Sequence, residues 1–141
     1  MDRRRIAQAA IGLNGLFALP IGVQATVAPR SFYDDFPLGR GWVALLGGTY
    51  DEHLVRDVGS FFLALAIVSV WAWWRPSLVR PMAVAWLVQG LLHLVFHLRH
   101  LQHFTGIDKV GQTASLATIP ILAAVALWAD VTASDEVVSV D

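Results

Sequence analysis

The fold is decided by an uncharged apolar stretch at residues 58–74, which has the sequence VGSFFLALAIVSVWAWW. Three further stretches, at residues 6–28, 82–98 and 110–129, also contain no Asp, Glu, Lys or Arg. A hydrocarbon core of about 30 Å needs about 20 such residues in a helix. Each stretch is therefore about long enough to cross a bilayer. The sequence predicts an all-α fold, a transmembrane four-helix bundle.

Composition supports a membrane assignment independently of these stretches. Hydrophobic residues make up 56% of the 141-residue chain and charged residues only 15%, whereas a soluble domain usually carries about 25% charged residues. A net charge of −1 argues against nucleic acid as a partner. The sequence has no cysteine, which excludes thiolate metal sites and covalent haem attachment through a Cys pair. We expect one integral membrane domain over residues 1–141, with the lipid bilayer as its main partner.

The predicted helices are separated by one long loop and end in a polar tail. The spans are placed at about residues 6–28, 53–74, 82–103 and 110–129, and a flexible acidic tail at residues 130–141. A long outer loop, rich in Gly, Pro and aromatic residues, joins helices one and two.

Basic residues set the predicted orientation. Three Arg precede the first helix, and Arg75 and Arg80 lie in the short connection between helices two and three. The positive-inside rule places both segments, and hence both termini, on the cytoplasmic side. Tryptophans near the same helix ends fit an interfacial aromatic belt; they are Trp71, Trp73, Trp74, Trp86 and Trp128.

Helix two begins with a polar face. Residues 50–60 have the sequence YDEHLVRDVGS. At about 100° per residue, Glu52 and Arg56 share one face of the helix, as do His53 and Asp57. Ser60 falls between these two pairs.

Helix three carries a histidine stripe at its outer end. Residues 89–103 have the sequence QGLLHLVFHLRHLQH. His93, His97 and His100 fall within an arc of about 60° on a helical wheel. Gln89 continues the stripe towards the membrane centre, and His103 borders it.

The two polar faces are expected to meet. Helices two and three form a hairpin, and pairing its outer ends brings Asp57 level with His100 and Ser60 level with His97. Ionisable groups facing lipid cost several kcal/mol each, so these side chains are expected to point inward. The sequence predicts an outward-facing His/acid pocket between the two helices.

The first hypothesis is that this pocket binds a metal ion or a small ligand, with or without enzymatic activity. Imidazoles and carboxylates on facing helices suit a divalent metal such as Zn, Fe or Cu. The candidate metal-binding or ligand-binding residues are His53, Asp57, His93, His97 and His100. The residues expected around them are Glu52, Arg56, Ser60, Gln89 and His103. Haem is disfavoured, because its axial ligands approach from opposite sides and the stripe comes from one helix.

Other hypotheses stay open. The pocket could bind a quinone or lipid, or handle protons through its histidines. The polar network could also do no more than fix helix orientation. A non-catalytic accessory subunit would instead dock to a larger membrane complex, or to another copy of itself. The small-residue face of helix one, which contains Ala18 and Gly22, suits such docking.

Short motifs carry a resemblance to a known group. The four short helices, the long first outer loop, the R-x-x-G start of helix two at residues 56–59 and the FLALA run at 62–66 resemble the DoxX-like small four-helix bacterial membrane proteins. Residues 50–59 and 93–98 are also similar to an uncharacterised actinobacterial subgroup. The resemblance implies a four-helix bundle in the bacterial inner (plasma) membrane and, for some members, accessory roles beside respiratory or redox enzymes. It transfers no catalytic residue.

Overall fold

The computed structural model of the protein describes residues 2–138, which contain helices and turns but no strand. The helices are α1 (Arg3–Val27), α2 (Pro29–Asp35), α3 (Glu52–Trp71), α4 (Val79–Arg99) and α5 (Gly106–Val138). Three short 3₁₀ turns, at Ala44–Leu46, Pro76–Leu78 and Leu101–His103, lie between them. Four helices, α1, α3, α4 and α5, are long and apolar enough to cross a membrane. The all-α prediction is confirmed, and the chain has the character of a multi-pass membrane protein.

Two helix ends differ from the sequence prediction. α4 ends at Arg99, and His100 has left the helical conformation with φ −116° and ψ 18°, so the predicted last turn of this helix, up to residue 103, is not α-helical. α5 continues past residue 129 to Val138. The described part of the predicted acidic tail is therefore helical, and residues 139–141 lie outside the described residues.

α1 organises the bundle. It packs along α3 on one side and along α5 on the other, and α5 in turn packs along α4. α3 and α4 touch each other only sparsely, although a short turn joins them. The helices therefore follow the order α3, α1, α5, α4 around the bundle. We call the end that carries residues 28–51 the loop end, and the end that carries residues 72–78 the turn end.

Small residues let α1 and α3 approach closely. A Cβ added at Gly22 would lie 2.8 Å from the Leu63 backbone nitrogen, and one added at Gly59 would lie 2.8 Å from the Thr26 nitrogen. Ala18 is fully buried in the same bundle core. The small-residue face that the sequence offers for docking to a partner is thus used inside the molecule, where it brings two backbones together.

Among the described residues, one side-chain hydrogen bond joins α3 and α4, near the turn end. The Trp86 indole Nε1 donates to Ser69 Oγ at 2.7 Å, and the Trp86 ring centroid lies 6.2 Å from that of Phe62. Trp86 is completely buried, so its predicted place in an interfacial belt is wrong. Trp71, Trp74 and Trp128 are more than half exposed, as residues of such a belt would be.

Gly22→Ala is expected to lower the free energy of unfolding by about 1–3 kcal/mol, because the new methyl group would overlap the α3 backbone. The control is Gly12→Ala on the same helix, whose Cβ would meet nothing within 4 Å. It should not lower stability, because alanine is more favourable than glycine in a helix interior by about 0.5–1 kcal/mol. Denaturant titration of both variants in detergent micelles measures the difference. Equal losses in the two variants would contradict the packing described for Gly22.

Candidate functional site

A cavity of about 640 Å³ lies between the four long helices towards the loop end. Its walls come from α1, α3, α4 and α5, and the segment between α1 and α3 contributes Phe36, Trp42 and Leu46 on the loop side. Small-molecule sites in proteins usually occupy about 300–1,000 Å³. The cavity, called the ligand cavity below, is therefore large enough for a small organic molecule.

The α3 wall of the ligand cavity is apolar. The α3 side chains that line it, among those described, are Leu54, Val55, Val58 and Phe62. These residues follow a helical spacing of three or four, so they share one face of α3. That face is not the one that carries the predicted acid and histidine residues.

The opposite wall carries the polar groups. They are Gln89, His93 and His97 on α4, and Gln112, Ser115 and Thr118 on α5. None of the described residues that line the cavity is an Asp, Glu, Lys or Arg. The ligand cavity thus has one apolar wall and one wall of uncharged hydrogen-bonding groups.

Gln112 is the most unusual of these groups. Its side chain is only 1% exposed, yet neither its Nε2 nor its Oε1 has a hydrogen-bond partner. His97 Nδ1 is buried on the same wall, also without a well-formed hydrogen bond, although the His97 ring interacts with the Gln112 amide. An unpaired buried polar group costs about 1–3 kcal/mol, and native proteins keep few of them. Their concentration at one cavity wall is typical of a site that a ligand completes.

The predicted histidine stripe is divided by the end of α4. Gln89, His93 and His97 line the ligand cavity, and the ring centroids of the two histidines are 4.6 Å apart. His100 does not line it: its Nδ1 lies 2.7 Å from the Phe96 carbonyl oxygen, and its ring stacks on Phe96 at 4.3 Å. His103 is exposed and stacks beside His100 with the centroids 6.1 Å apart.

The predicted α3 ligands lie elsewhere. His53 and Asp57 have exposed side chains, 88% and 52%, and pair with each other at 3.4 Å between Nε2 and Oδ2. Neither lines the ligand cavity. The expectation that they face His97 and His100 is wrong, because α3 turns its apolar side to the cavity. Both residues lie in the first two turns of α3, close to the loop end, where they need not point inward to avoid the hydrocarbon.

The other polar residues of α3 have structural contacts. Arg56 Nε donates to Glu52 Oε1 at 2.8 Å, and its Nη1 donates to the Thr26 carbonyl oxygen at the end of α1. Ser60 Oγ donates to the Asp57 carbonyl oxygen at 2.8 Å. These bonds fasten the start of α3 to itself and to α1, and they leave the three residues away from the ligand cavity.

The predicted metal ligands are not assembled. Among the side chains that the structure describes, no group of three or more His, Asp or Glu residues could hold a metal ion. His93 and His97 could supply two nitrogen ligands, whereas Zn²⁺ sites in proteins use at least three protein ligands. Two imidazoles and the neighbouring amides are better suited to hydrogen bonding.

The cover of the ligand cavity is fastened to α5 by one carboxylate. Asp108 Oδ1 accepts from Trp42 Nε1 at 2.8 Å and from Arg40 Nη1 at 2.5 Å. Trp42 itself lines the cavity. The bonds therefore hold an aromatic side chain of the covering segment against the α5 wall.

Further contacts order the covering segment around α2. Arg30 Nε donates to Asp34 Oδ2 at 2.6 Å, and this bond raises the pKa of Arg30 above its ordinary value. The Arg30 guanidinium also lies 4.9 Å from the centre of the Tyr50 ring, within cation–π range. Tyr33 donates from its hydroxyl to the Gly48 carbonyl oxygen. The loop that the sequence predicts is thus a folded cover.

Sequence reasoning missed Gln112 and Asp108. Gln112 is a long polar side chain inside the uncharged stretch at residues 110–129, and that isolated polarity is the signal that could have identified it. Asp108 lies one turn earlier, and its partners Arg40 and Trp42 are 68 and 66 residues away in the sequence. No local pattern connects such distant residues.

The comparisons with known proteins give no relative. No family model, no curated protein and no solved structure matches the chain. The function is therefore inferred from the shape and lining of the ligand cavity.

Asp108→Ala is expected to increase backbone deuterium uptake over residues 36–46 several-fold, because Trp42 and Arg40 lose their shared acceptor. Hydrogen–deuterium exchange of the full chain in nanodiscs measures this change. Asp34→Ala is the matched control, since it removes an exposed ion pair within α2 and leaves the bonds to α5 in place. Unchanged uptake over residues 36–46 in the Asp108 variant would contradict the fastening role.

Proposed function

We propose that this protein binds a lipophilic small molecule with a polar head group in the ligand cavity. The observation that carries the proposal is the buried Gln112 side chain at the wall of a large and mostly apolar cavity. Its amide interacts with the His97 ring, but neither the amide nitrogen nor the oxygen makes a well-formed hydrogen bond. A ligand head that bonds to this amide would remove the cost of two unpaired polar atoms.

The two walls suit the two parts of such a ligand. The apolar α3 side chains, together with Phe17 and Ile21 of α1, line the cavity and would contact the hydrocarbon tail of the ligand there. The amide of Gln112 and the imidazoles of His93 and His97 would orient the head. This division favours a lipid-like or quinone-like guest over a metal ion, because the carboxylate expected for metal binding, Asp57, does not reach the cavity.

The accessory-subunit hypothesis receives less support. Its docking face on α1 is filled by α3, which leaves Ala18 fully buried. Kinship with the DoxX-like proteins stays a prediction that rests on short motifs. It agrees with a small four-helix membrane protein but does not identify the guest.

We further propose that the protein lies in the bacterial inner membrane with both termini in the cytoplasm and the ligand cavity towards the outside. Five of the ten Lys and Arg residues lie at the turn end, within residues 3–5 and 75–80, and the other five are spread over longer segments at the loop end. The higher density of basic residues at the turn end supports this orientation. The Arg3 guanidinium carbon lies 5.7 Å from the centre of the Trp128 ring, and that of Arg5 lies 5.8 Å from the centre of Trp73. Arg80 pairs with Asp130 at 2.8 Å at the same end.

Introduced cysteines test the orientation without background labelling, because the chain has no cysteine of its own. Leu38→Cys, at a loop-end position that is 99% exposed, is expected to react with a membrane-impermeant maleimide in intact spheroplasts. Ser77→Cys, exposed at the turn end, should react only after lysis. The reverse pattern would overturn the proposed orientation.

Ser115→Phe tests the ligand cavity itself. The larger ring would occupy space at the polar wall and is expected to weaken saturable binding at least about tenfold, which corresponds to about 1.4 kcal/mol. Ala114→Phe is the matched control, because Ala114 is exposed on the same helix and does not line the cavity. Binding is measured in nanodiscs as quenching of Trp42 fluorescence by ω-brominated dodecyl probes with different heads, and the Trp42→Phe variant gives the background.

Two results would overturn the proposed function. One is the absence of saturable quenching by every probe in the wild-type protein. The other is equal weakening by Ser115→Phe and by Ala114→Phe, since the second substitution leaves the cavity volume unchanged.

A further inference from the structure

We infer that the ligand cavity selects an uncharged, long-chain molecule whose head group donates and accepts hydrogen bonds at once, as a hydroxyl group does, and that this molecule comes from the bilayer. The inference rests on the proposed function and specifies the chemical class of the guest. Three features support it: the absence of charged side chains from the described cavity lining, the hydrogen-bonding atoms of Gln112, and the gap between α3 and α4.

The cavity offers no partner for a charged head. None of the described side chains that line it is ionised as Asp, Glu, Lys or Arg. Two charged groups at the loop end bond to other residues: Asp108 accepts from Arg40 and Trp42, and Arg56 donates to Glu52 and to the Thr26 carbonyl oxygen. A phosphate, carboxylate or ammonium buried here would lose its hydration without gaining a counter-ion, and such burial costs several kcal/mol.

The histidines do not change this conclusion about charge. Their rings are adjacent, with centroids 4.6 Å apart, so protonation of both would place two like charges side by side. No described carboxylate lines the cavity to stabilise an imidazolium. His93 and His97 are therefore best suited to act as neutral hydrogen-bonding groups.

The unpaired groups require both a donor and an acceptor. Gln112 presents an N–H donor at Nε2 and an acceptor at Oε1. Its amide interacts with the His97 ring, but neither amide atom makes a well-formed hydrogen bond. A hydroxyl head can donate to Oε1 and accept from Nε2, whereas an ether or ester can only accept. Because neither amide atom is well paired, a hydroxyl head suits either orientation of the amide. His97 Nδ1 adds a third position that can bond to the same head.

The gap between α3 and α4 points to the bilayer as the source. These helices are joined near the turn end by the bond from Trp86 to Ser69, but they make few contacts elsewhere. Leu54 and Val58 on α3 and Phe96 on α4 line the cavity and remain 61%, 37% and 49% exposed. The side of the cavity between α3 and α4 is therefore apolar and incompletely walled, which suits a guest that is dissolved in lipid.

The test compares three probes that share one chain and differ in the head. They are ω-bromododecanol, its methyl ether, and ω-bromododecanoate at about pH 9, each added to the full-length protein in phosphatidylcholine nanodiscs. Saturable quenching of Trp42 reports binding, and unbrominated dodecanol is the competitor. We expect the alcohol to bind at least about tenfold more tightly than the ether or the carboxylate, relative to the concentration of each probe in the lipid.

Gln112→Leu identifies the group responsible for this selection. Leucine retains most of the side-chain volume without the amide, so the alcohol should lose two hydrogen bonds and the ether only the one that it accepts. The advantage of the alcohol over the ether should therefore disappear. The matched control is Gln102→Leu, since Gln102 is exposed and lies outside the cavity; it should keep the wild-type preference.

The outcomes separate this inference from the proposed function. Saturable binding in which the ether or the carboxylate equals the alcohol would overturn the head-group inference and leave the proposed binding function standing. A preference for the alcohol that survives Gln112→Leu, or an equal loss for all three probes, would also overturn the inference. Absence of saturable binding for every probe would overturn both.

Discussion

The close contact between the α1 and α3 backbones is the constraint on which the remaining architecture depends. Gly22 and Gly59 have no side chains that would keep the two helices apart, so α3 packs along α1 rather than along α4, the helix that follows it in the chain. Without a water-driven core, membrane helices associate mainly through such close packing and through interhelical hydrogen bonds. The ligand cavity is the space that remains because α3 is held against α1.

The polar residues of the loop end divide into two groups with different roles. On the exposed side, His53, Asp57 and Arg56 form short-range pairs near the start of α3. On the inner side, His97 and Gln112 keep buried polar atoms without partners. The polar atoms of the first group bond to one another and to α1, whereas those of the second group border the ligand cavity. The candidate site is therefore identified by missing hydrogen bonds rather than by charge.

The sequence predicts the spans well because their length and lack of charge reflect the bilayer directly. It does not predict which helices adjoin, since hydropathy carries no information on helix neighbours. The short turn predicts that helices two and three pair, but the glycines of α1 favour another partner for α3. Of the predicted stripe, His93 and His97 line the cavity because they lie within α4. His100 does not line it, because the helix ends at Arg99. Gln112 was missed because its role depends on tertiary contacts.

The bond between Trp86 and Ser69 has a mechanical consequence. α3 is not free to pivot about it, because the half of the helix near the loop end is held against α1 through Gly59 and Thr26. Ser69 and Gly59 are about 15 Å apart along the axis at about 1.5 Å per residue, so the two contacts together fix the direction of α3. A change in the width of the opening between α3 and α4 would therefore come from movement of α4.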